Sequence, residues 1–537
     1  MSTRTISRRA GLLPATLASL LLCGVASSAL ANPASEAKLQ AMQQQLEDMR
    51  AQLDAMRAVG SQDSRLSTIQ QQLESMAAQL ADIKSTQDTA VSDIAVLKQA
   101  PAPAATTPTL PNGKPAFATA DGRFTANIRA IVMMDTGKYF QRSNLGAGVV
   151  GRDLNEGVNF RRARIGIDGR LFKDFDYALI YEFGGSGAED PGRLYDFSIT
   201  YTALKPWRIK IGAYEPNIGL TAAVSTSQMP FMERASPAEV ARNVAAGDSR
   251  VAFQLTGNDV IGAGDTGLAA RWFVSTAFTG NVISTISSAG SATTQPFDEQ
   301  TAWIGRAAIA PFYSTNWQGH LGANYQYVIQ PNDSGPAATP RYVGQLRDRP
   351  ELRLDGTRLI DTGVIDARHL TTYGLEAGLS AGPFLVESEW FKYKIDRRLT
   401  TPTLLPDPSF KGWYVQGVWV LTGESRLYNP AEARFDAPKQ TYNFNPAAGT
   451  WGAFEIAARY SVVDLNYREG ALASLSIPGA VRGGEQKITT LGLNWYLNPT
   501  LRMMLDYQHV NIDRLSATGV QIGQSYDALA ARAQLSF

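Results

Sequence analysis

The chain predicts an all-β transmembrane barrel of about 16 antiparallel strands, preceded by an N-terminal α-helical coiled coil. Three observations predict it. The final residues alternate strictly: Leu529, Ala531, Ala533, Leu535 and Phe537 are apolar or small, with Ala530, Arg532, Gln534 and Ser536 between them, the mark of a strand with one greasy face and one wet face. Beyond residue 31 there is no apolar run of the ~20 residues that a membrane-crossing helix needs. Short turns and long loops alternate along the chain, the asymmetry of barrels that cross an outer membrane. At about 26 residues per strand with its turn and loop, the stretch from Asp121 to Phe537 accommodates roughly 16 strands.

Before the barrel the chain divides into three parts. Arg4, Arg8 and Arg9 precede an apolar run from Gly11 to Val25, and Ala29 and Ala31 supply small residues where a signal peptidase reads, so residues 1–31 read as a secretory signal. A lipid-modified Cys23 is the rival reading, and the large Leu22 before it speaks against that. Cleavage after Ala31 leaves no cysteine, hence no disulfide and no thiolate for a metal. In residues 32–100, Leu39, Met42, Leu46, Met49, Leu53 and Met56 step by threes and fours. The phase restarts after Gly60 at Leu66, Ile69, Leu73, Met76, Leu80 and Ile83. This heptad seam, with Gln and Glu around it, favours self-association in the periplasm over packing of one amphipathic helix on a globular domain. Pro101, Pro103, Pro108, Pro111 and Pro115 make residues 101–120 a stiff linker.

From residue 121 the period becomes two. Phe124, Ala126, Ile128, Ala130 and Val132 oppose Thr125, Asn127 and Arg129; Tyr177, Leu179, Tyr181 and Phe183 oppose Ala178, Ile180 and Glu182. Tyr195, Phe197, Ile199 and Tyr201, then Trp207, Ile209 and Ile211, and near the end Leu501, Met503, Leu505 and Tyr507 repeat the pattern. Aromatic residues near strand ends fit the girdles of a bilayer-spanning barrel. Tight turns are expected at Lys173–Asp176 and Lys205–Pro206. Long loops are expected at Gly185–Gly192, Gly280–Phe297, Gln330–Pro340 and Thr400–Pro408, all on the other side.

The formal net charge is only +1, so any preference for anions depends on where charges sit. His320, His369 and His509 are scattered without metal-ligand spacing, and no catalytic constellation stands out. The chain reads as a non-enzyme with no metal, no cofactor and no nucleic-acid partner. Arginines carry more: from Asp121 onward they number thirty-one against nine lysines, and arginine is the two-pronged partner of carboxylate and phosphate. Alternation sends Arg162 and Arg164 into the lumen and leaves Arg161 near the rim, unless a bulge turns it inward. Arg129, Arg208 and Lys210 come to the inner face by the same count, as does Arg306. Arg341, Arg347, Arg349, Arg353 and Arg358 crowd a stretch interrupted by Pro350, which reads as a loop folded into the pore. The alternative for any one of these arginines is a cross-lumen pair with Glu182, Glu387 or Glu389.

Nine stretches, in order, resemble the phosphate- and polyphosphate-selective porins, the porin O and porin P family of Gram-negative bacteria. They are Phe160-Arg-Arg-Ala-Arg-Ile-Gly-Ile-Asp-Gly, Leu171-Phe-Lys-Asp-Phe-Asp-Tyr, Lys205-Pro-Trp, Tyr214-Glu-Pro-Asn-Ile-Gly-Leu, Phe231-Met-Glu-Arg, Arg349-Pro-Glu, Gly412-Trp-Tyr-Val-Gln, Leu421-Thr-Gly-Glu and Gly492-Leu-Asn-Trp-Tyr-Leu-Asn. The resemblance implies a homotrimer of 16-stranded barrels in the outer membrane, each with a constricted, anion-binding lumen. It matches Arg161 and Arg162 to the family's paired binding arginines, Arg234 and Arg129 to further basic positions, and Lys173 and Lys210 more loosely. The family's row of arginines leading down to the constriction corresponds, as a group and without position-by-position matching, to the cluster from Arg341 to Arg358, which holds Arg347, Arg349 and Arg353. The chain departs from the family at Thr221, Ala222 and Ala223, where tight phosphate binders carry a lysine, and at Arg164, which adds a charge.

The expected function is a passive outer-membrane channel for inorganic phosphate or polyphosphate, in contact with outer-membrane lipid. Alternatives are a general or other-solute porin of the same fold, or an envelope-tethering protein that contacts the periplasm or cell wall through its coiled coil.

Overall fold

The computed structural model describes scattered residues between 43 and 85, then residues 106–109, 115–184, 192–247, 249–262, 269–283, 299–333, 342–398 and 405–537. It divides into a unit of residues 1–104 and a unit of residues 105–537. In the first unit every described residue is helical. Leu73 is half-buried there; the other seam residues, the signal segment and the expected self-association lie outside the described residues.

The second unit is a closed antiparallel barrel of 16 strands: β1 (Thr125–Phe140), β2 (Gly157–Leu171), β3 (Phe175–Glu182), β4 (Arg193–Tyr201), β5 (Trp207–Tyr214), β6 (Arg250–Ile261), β7 (Ala270–Val282), β8 (Thr301–Ala310), β9 (Trp317–Gln330), β10 (Ile365–Ala381), β11 (Phe384–Arg397), β12 (Ser409–Val420), β13 (Ala453–Tyr467), β14 (Val481–Tyr496), β15 (Leu501–Asp513) and β16 (Ser525–Ser536). Closure comes from β16 on β1, with Leu535 opposite Val132 and Asp527 opposite Phe140. The part of β1 below Ile131 pairs instead with Ala116–Ala118, in register Ala116 to Asn127. The two ends of the unit thus complete one ladder, and no hydrogen-bonding edge of β1 is left open.

The period of two decides which residues face lipid. Leu501, Met503, Leu505 and Tyr507 are exposed on the outer face, whereas Arg502, Met504, Asp506 and Gln508 between them are buried inside. Aromatic pairs such as Trp207 with Trp272 (5.7 Å between ring centres) and Trp413 with Tyr460 (5.7 Å) stud the outer wall.

Among the described residues, three connecting segments fold into the barrel and turn its inside into a packed interior. The first joins β5 to β6 and carries α1 (Ser236–Ala245). Pro237 suits the first helical turn, where its missing N–H costs nothing, and Glu239 and Arg242 pair one turn apart at 2.7 Å. Wall residues supply the helix's remaining partners: Tyr393 donates its hydroxyl to the Pro237 carbonyl (2.6 Å), Gln326 donates to the Ala241 carbonyl (2.8 Å), and Thr279 donates to that of Ala245 (3.1 Å). The second segment joins β9 to β10 and contains the arginine-rich stretch around Pro350, folded inward as its sequence predicts. The third joins β12 to β13, where Arg426 grips Glu455 (2.7 and 2.9 Å) and Arg306 donates to the carbonyl of Ala433 (2.7 Å).

That third segment corrects one expectation. It leaves from the same barrel end as the tight turns, so not every connection there is short. Its stretch Tyr428–Phe435 turns up into the lumen, where Tyr428, Ala433 and Phe435 pack with Phe273, Leu385 and Val418.

Candidate functional site

Register brings the predicted arginines together. Met133 pairs with Arg162 while Met134 pairs with Phe160, so Arg161 is an extra residue in β2, a β-bulge. A bulge sets two residues opposite one and re-aims a side chain. Arg161 and Arg162 therefore both face inward, and the placement of Arg161 at the rim, expected from strict alternation, is corrected.

Both meet Glu233, which follows Met232 in the first inserted segment. Arg161 Nε donates to Oε1 at 2.9 Å, Arg162 donates through both terminal nitrogens at 3.1 Å, and Arg532 Nη2 donates to Oε1 at 2.9 Å. Arg353 Nε lies 3.8 Å from Oε2. Burial works to raise the Glu233 carboxyl, but the charges of Arg161, Arg162, Arg532 and Arg353 overcome it and hold the group well below the usual carboxylate range. Arg353 reaches on to Glu239 (3.2 Å) and Asp348 (3.7 Å). Its guanidinium is disfavoured by burial, yet those three carboxylates pull its pKa above the ordinary value.

Inward-pointing wall residues lock the first segment in place. Glu389 accepts the backbone N–H of Leu220 (2.7 Å) and Thr221 (3.1 Å) and the hydroxyl of Tyr414 (2.7 Å). Asp506 accepts the N–H of Met232 (2.9 Å), and Arg502 and Asn494 donate to the carbonyls of Met229 (2.7 Å) and Pro230 (2.8 Å). Arg234 donates to the carbonyls of Thr221, Ala222 and Val224 at 3.0–3.3 Å and lies 3.5 Å from Glu215.

Two cavities open among the described residues. One of about 660 Å³ is lined by eleven arginines, Arg161, Arg162, Arg164, Arg193, Arg234, Arg242, Arg250, Arg347, Arg349, Arg353 and Arg358, against four carboxylates, Glu182, Glu233, Glu239 and Asp348. The other, about 340 Å³, lies toward the tight-turn end and contains Arg129, Lys210 and Arg434 with Asp196, Glu215 and Glu432. Arg164, Thr226 and Arg234 line both, so the two cavities adjoin at these residues. Arg164 lies flat over the Tyr195 ring at 3.4 Å, with Nε 2.5 Å from Glu182. Its charge is thereby held in a fixed plane.

The other predicted residues are distributed as follows. Arg129 pairs with Asp168 at 2.5 Å and stays half-exposed, and Lys210 sits 4.0 Å above the Tyr214 ring, 3.7 Å from Asp196. Arg208 faces inward but is used by the third segment, donating to the Ala431 carbonyl at 2.7 Å. Arg306 pairs with Glu376 at 2.7 Å. Arg347 and Arg349 line the larger cavity beside Arg358, and Arg347 and Arg358 make no ion pair among the described residues. Burial first, and then the neighbouring charges of Arg349 and Arg347, lower the Arg358 guanidinium from its ordinary value. Arg341 lies outside the described residues. Lys173 is not brought to the site: it is exposed on the β2–β3 turn with φ 72°. Of the proposed neutralising carboxylates, Glu182 does pair with arginine, whereas Glu389 anchors a loop and Glu387 accepts from Gln416 (2.7 Å).

Arg193, Arg242, Arg250 and Arg532 were missed from the sequence as site residues. Arg532 sits on the inner face of the last strand by simple alternation, the one signal that was available. The others open a strand or ride on α1, where no period points to a lumen.

A closed barrel with membrane-facing aromatics and an arginine-lined interior is an outer-membrane porin, a channel that performs no catalysis. The chain belongs to the phosphate-selective porin O and P family, whose model matches residues 140–537. It is 26% identical over 374 residues to porin O of Pseudomonas aeruginosa, covering 66% of this chain and 77% of that protein. An uncharacterized protein of Caulobacter vibrioides is 27% identical over 432 residues, covering 79% and 76%. Among solved structures, the chain is similar to the trimer form of OmpT of Vibrio cholerae (9% identity, TM-score 0.41, covering 77% and 99%) and to the anion-selective porin from Comamonas acidovorans (12% identity, TM-score 0.41, covering 77% and 100%).

Proposed function

We propose that this porin is a passive, anion-selective channel that conducts inorganic phosphate or short polyphosphate. The observation that carries the reading is the lining of the larger cavity, eleven arginines against four carboxylates. Such an excess in a narrow, partly dehydrated space favours anions and rejects cations. A dianion enters at Arg347, Arg349 and Arg358, whose mutual repulsion it relieves. It then passes Arg353, Arg161 and Arg162, whose charges the carboxylates balance in part. It crosses between Arg164 and Arg234, and leaves past Arg129 and Lys210. Past Arg347 and Arg358, each arginine on this path is already shared with a carboxylate, a carbonyl or a ring, so no single inner site holds the ion too tightly to release it.

The family's lysine after the Gly-Leu pair is replaced here by Thr221, Ala222 and Ala223, which supports weaker orthophosphate binding than a lysine-bearing site would give. Assembly as a homotrimer belongs to the same proposal. The low wall of β3, β4 and β5, strands of 8, 9 and 8 residues carrying exposed Leu179, Phe197, Ile199 and Ile211, is the face offered for it.

Planar-bilayer recording tests the reading. A reversal potential of anion-selective sign across a potassium chloride gradient, with chloride current blocked by added phosphate, is expected. Arg161→Ala with Arg162→Ala should weaken both. A chloride current that phosphate leaves untouched would make this a general porin in the same fold.

A further inference from the structure

On the outer wall, Lys392 of β11 and Lys411 of β12 are directly opposite each other in the sheet register. Like charges in that position, with side chains roughly 5 Å apart, destabilise a sheet. The neighbours resolve the conflict only in part: Lys392 has Tyr373 on its other side, Lys411 has Asp464 opposite it and within reach of its charge, and neither lysine has a carboxylate within ion-pair distance among the described residues. Lys394, one outward position further up, is held by Asp396 at 3.2 Å.

Beneath the pair the same two strands present a built apolar surface. Trp390 faces Trp413 one row down, and Phe384 faces Trp419 at the tight-turn end, where their rings stack at 5.6 Å. Between these aromatic pairs lie Val386, Gly417, Ser388 and Val415; Ser388 turns its hydroxyl to the Tyr414 carbonyl (2.7 Å), and a side chain at Gly417 would meet nothing within 4 Å. The result is a shallow greasy strip, capped by tryptophans at the level of a membrane interface and topped by two cations that make no ion pair among the described residues. The face lies on the side of the barrel away from β3–β5.

We propose that Lys392 and Lys411 together bind the phosphate of a phosphorylated lipid in the outer leaflet, with an acyl chain lying along the strip between the Trp390–Trp413 and Phe384–Trp419 pairs. A phosphate dianion between the ammonium groups converts their repulsion into two charge-assisted hydrogen bonds. The tryptophans and small side chains below fix where its lipid tail lies.

The test uses the full protein, purified in detergent and stripped of lipid. A bis-phosphorylated glycolipid, the same lipid dephosphorylated, and inorganic phosphate are added in turn, with retention read by native mass spectrometry and stability by the melting midpoint. The phosphorylated lipid should be retained at least tenfold better than its dephosphorylated form. Lys392→Gln with Lys411→Gln should abolish that preference while raising the melting midpoint of the lipid-free protein, because the like-charge pair is gone. Lys138→Gln, an exposed lysine on β1, should leave both readings at their wild-type values. Equal retention of the two lipids, an unchanged preference in the double variant, or an equal shift produced by inorganic phosphate alone would each overturn the proposal. Phosphate block of the channel is expected to be unchanged in the double variant, so the outcome is separable from the fate of the lumen reading.

Discussion

Arg162 and Glu233 meet fork to fork, Nη1 to Oε1 and Nη2 to Oε2, both at 3.1 Å, and both side chains are almost wholly buried. A pair of this kind contributes little net stability compared with an apolar pair of the same shape, but removing one partner strands the other's charge. Here three further guanidiniums share the same carboxylate. Glu233 is thus the keystone that allows four arginines to be packed at the top of the passage.

Glu233→Gln is therefore expected to lower the stability of the barrel by roughly 3–5 kcal/mol, the cost of breaking a buried ion pair. The same change frees positive charge in the lumen, so anion selectivity should rise while the melting midpoint falls. Thermal denaturation and reversal potentials on the same preparation check both. A variant that melts earlier with unchanged selectivity would show that the cluster is structural only.

Arg347→Ala and Arg358→Ala should behave in the opposite sense. Among the described residues neither makes an ion pair, and they crowd Arg349, so stability should be unchanged or slightly raised. The phosphate concentration that half-blocks the chloride current should increase several-fold, with a weaker dependence on salt. Titrating phosphate into single-channel recordings decides it.

Asp348 is expected to make selectivity depend on pH. It is buried in the second inserted segment, where burial first and the nearby Glu239 charge second outweigh Arg353 and the Ser236 hydroxyl, pushing its pKa from the ordinary 3.8 up to about 6. The folded protein therefore holds this proton more readily than the unfolded chain does. The contribution of Asp348 to stability grows as pH falls from about 6 toward 4 and is lost as pH rises through 6. Protonation also removes one negative charge from the larger cavity, so chloride over potassium selectivity should increase between pH 7.5 and pH 5. Asp348→Asn should abolish that step and hold the low-pH value throughout; a step that survives the substitution belongs to another group.

Glu389→Ala removes the acceptor that holds the N–H groups of Leu220 and Thr221 against the wall. The first inserted segment should loosen at that point, giving larger and noisier single-channel conductance with lower anion selectivity. Glu389→Gln keeps one acceptor oxygen and should fall between the two. Conductance equal to wild type in both variants would place the anchor elsewhere, at Asp506 and Arg502.

Alternation alone was enough to read which side of β1, β2, β5, β15 and β16 is wet, because a strand's period of two commits every side chain once one face meets lipid. Arg161 shows where that logic stops: one bulged residue changes the face, and no local feature of Phe160 to Arg164 announces it. The folding-in of the stretch around Pro350 was legible, since so many arginines beside a proline suit neither lipid nor a strand. The insertion of Tyr428–Phe435 was not, because its sequence resembles an ordinary loop and its apolar side chains find partners only on distant strands.

The sequence by itself determined the barrel, the absence of a spanning helix and the richness in inward arginine, because these follow from local period and composition under the demand that backbone in a bilayer be hydrogen-bonded. Only the tertiary structure decided which arginines remain available to an ion. Glu233 lies seventy-one residues from Arg162 and almost three hundred from Arg532, and a charge's availability depends on the partners that the closed fold brings to it, whatever their distance along the chain.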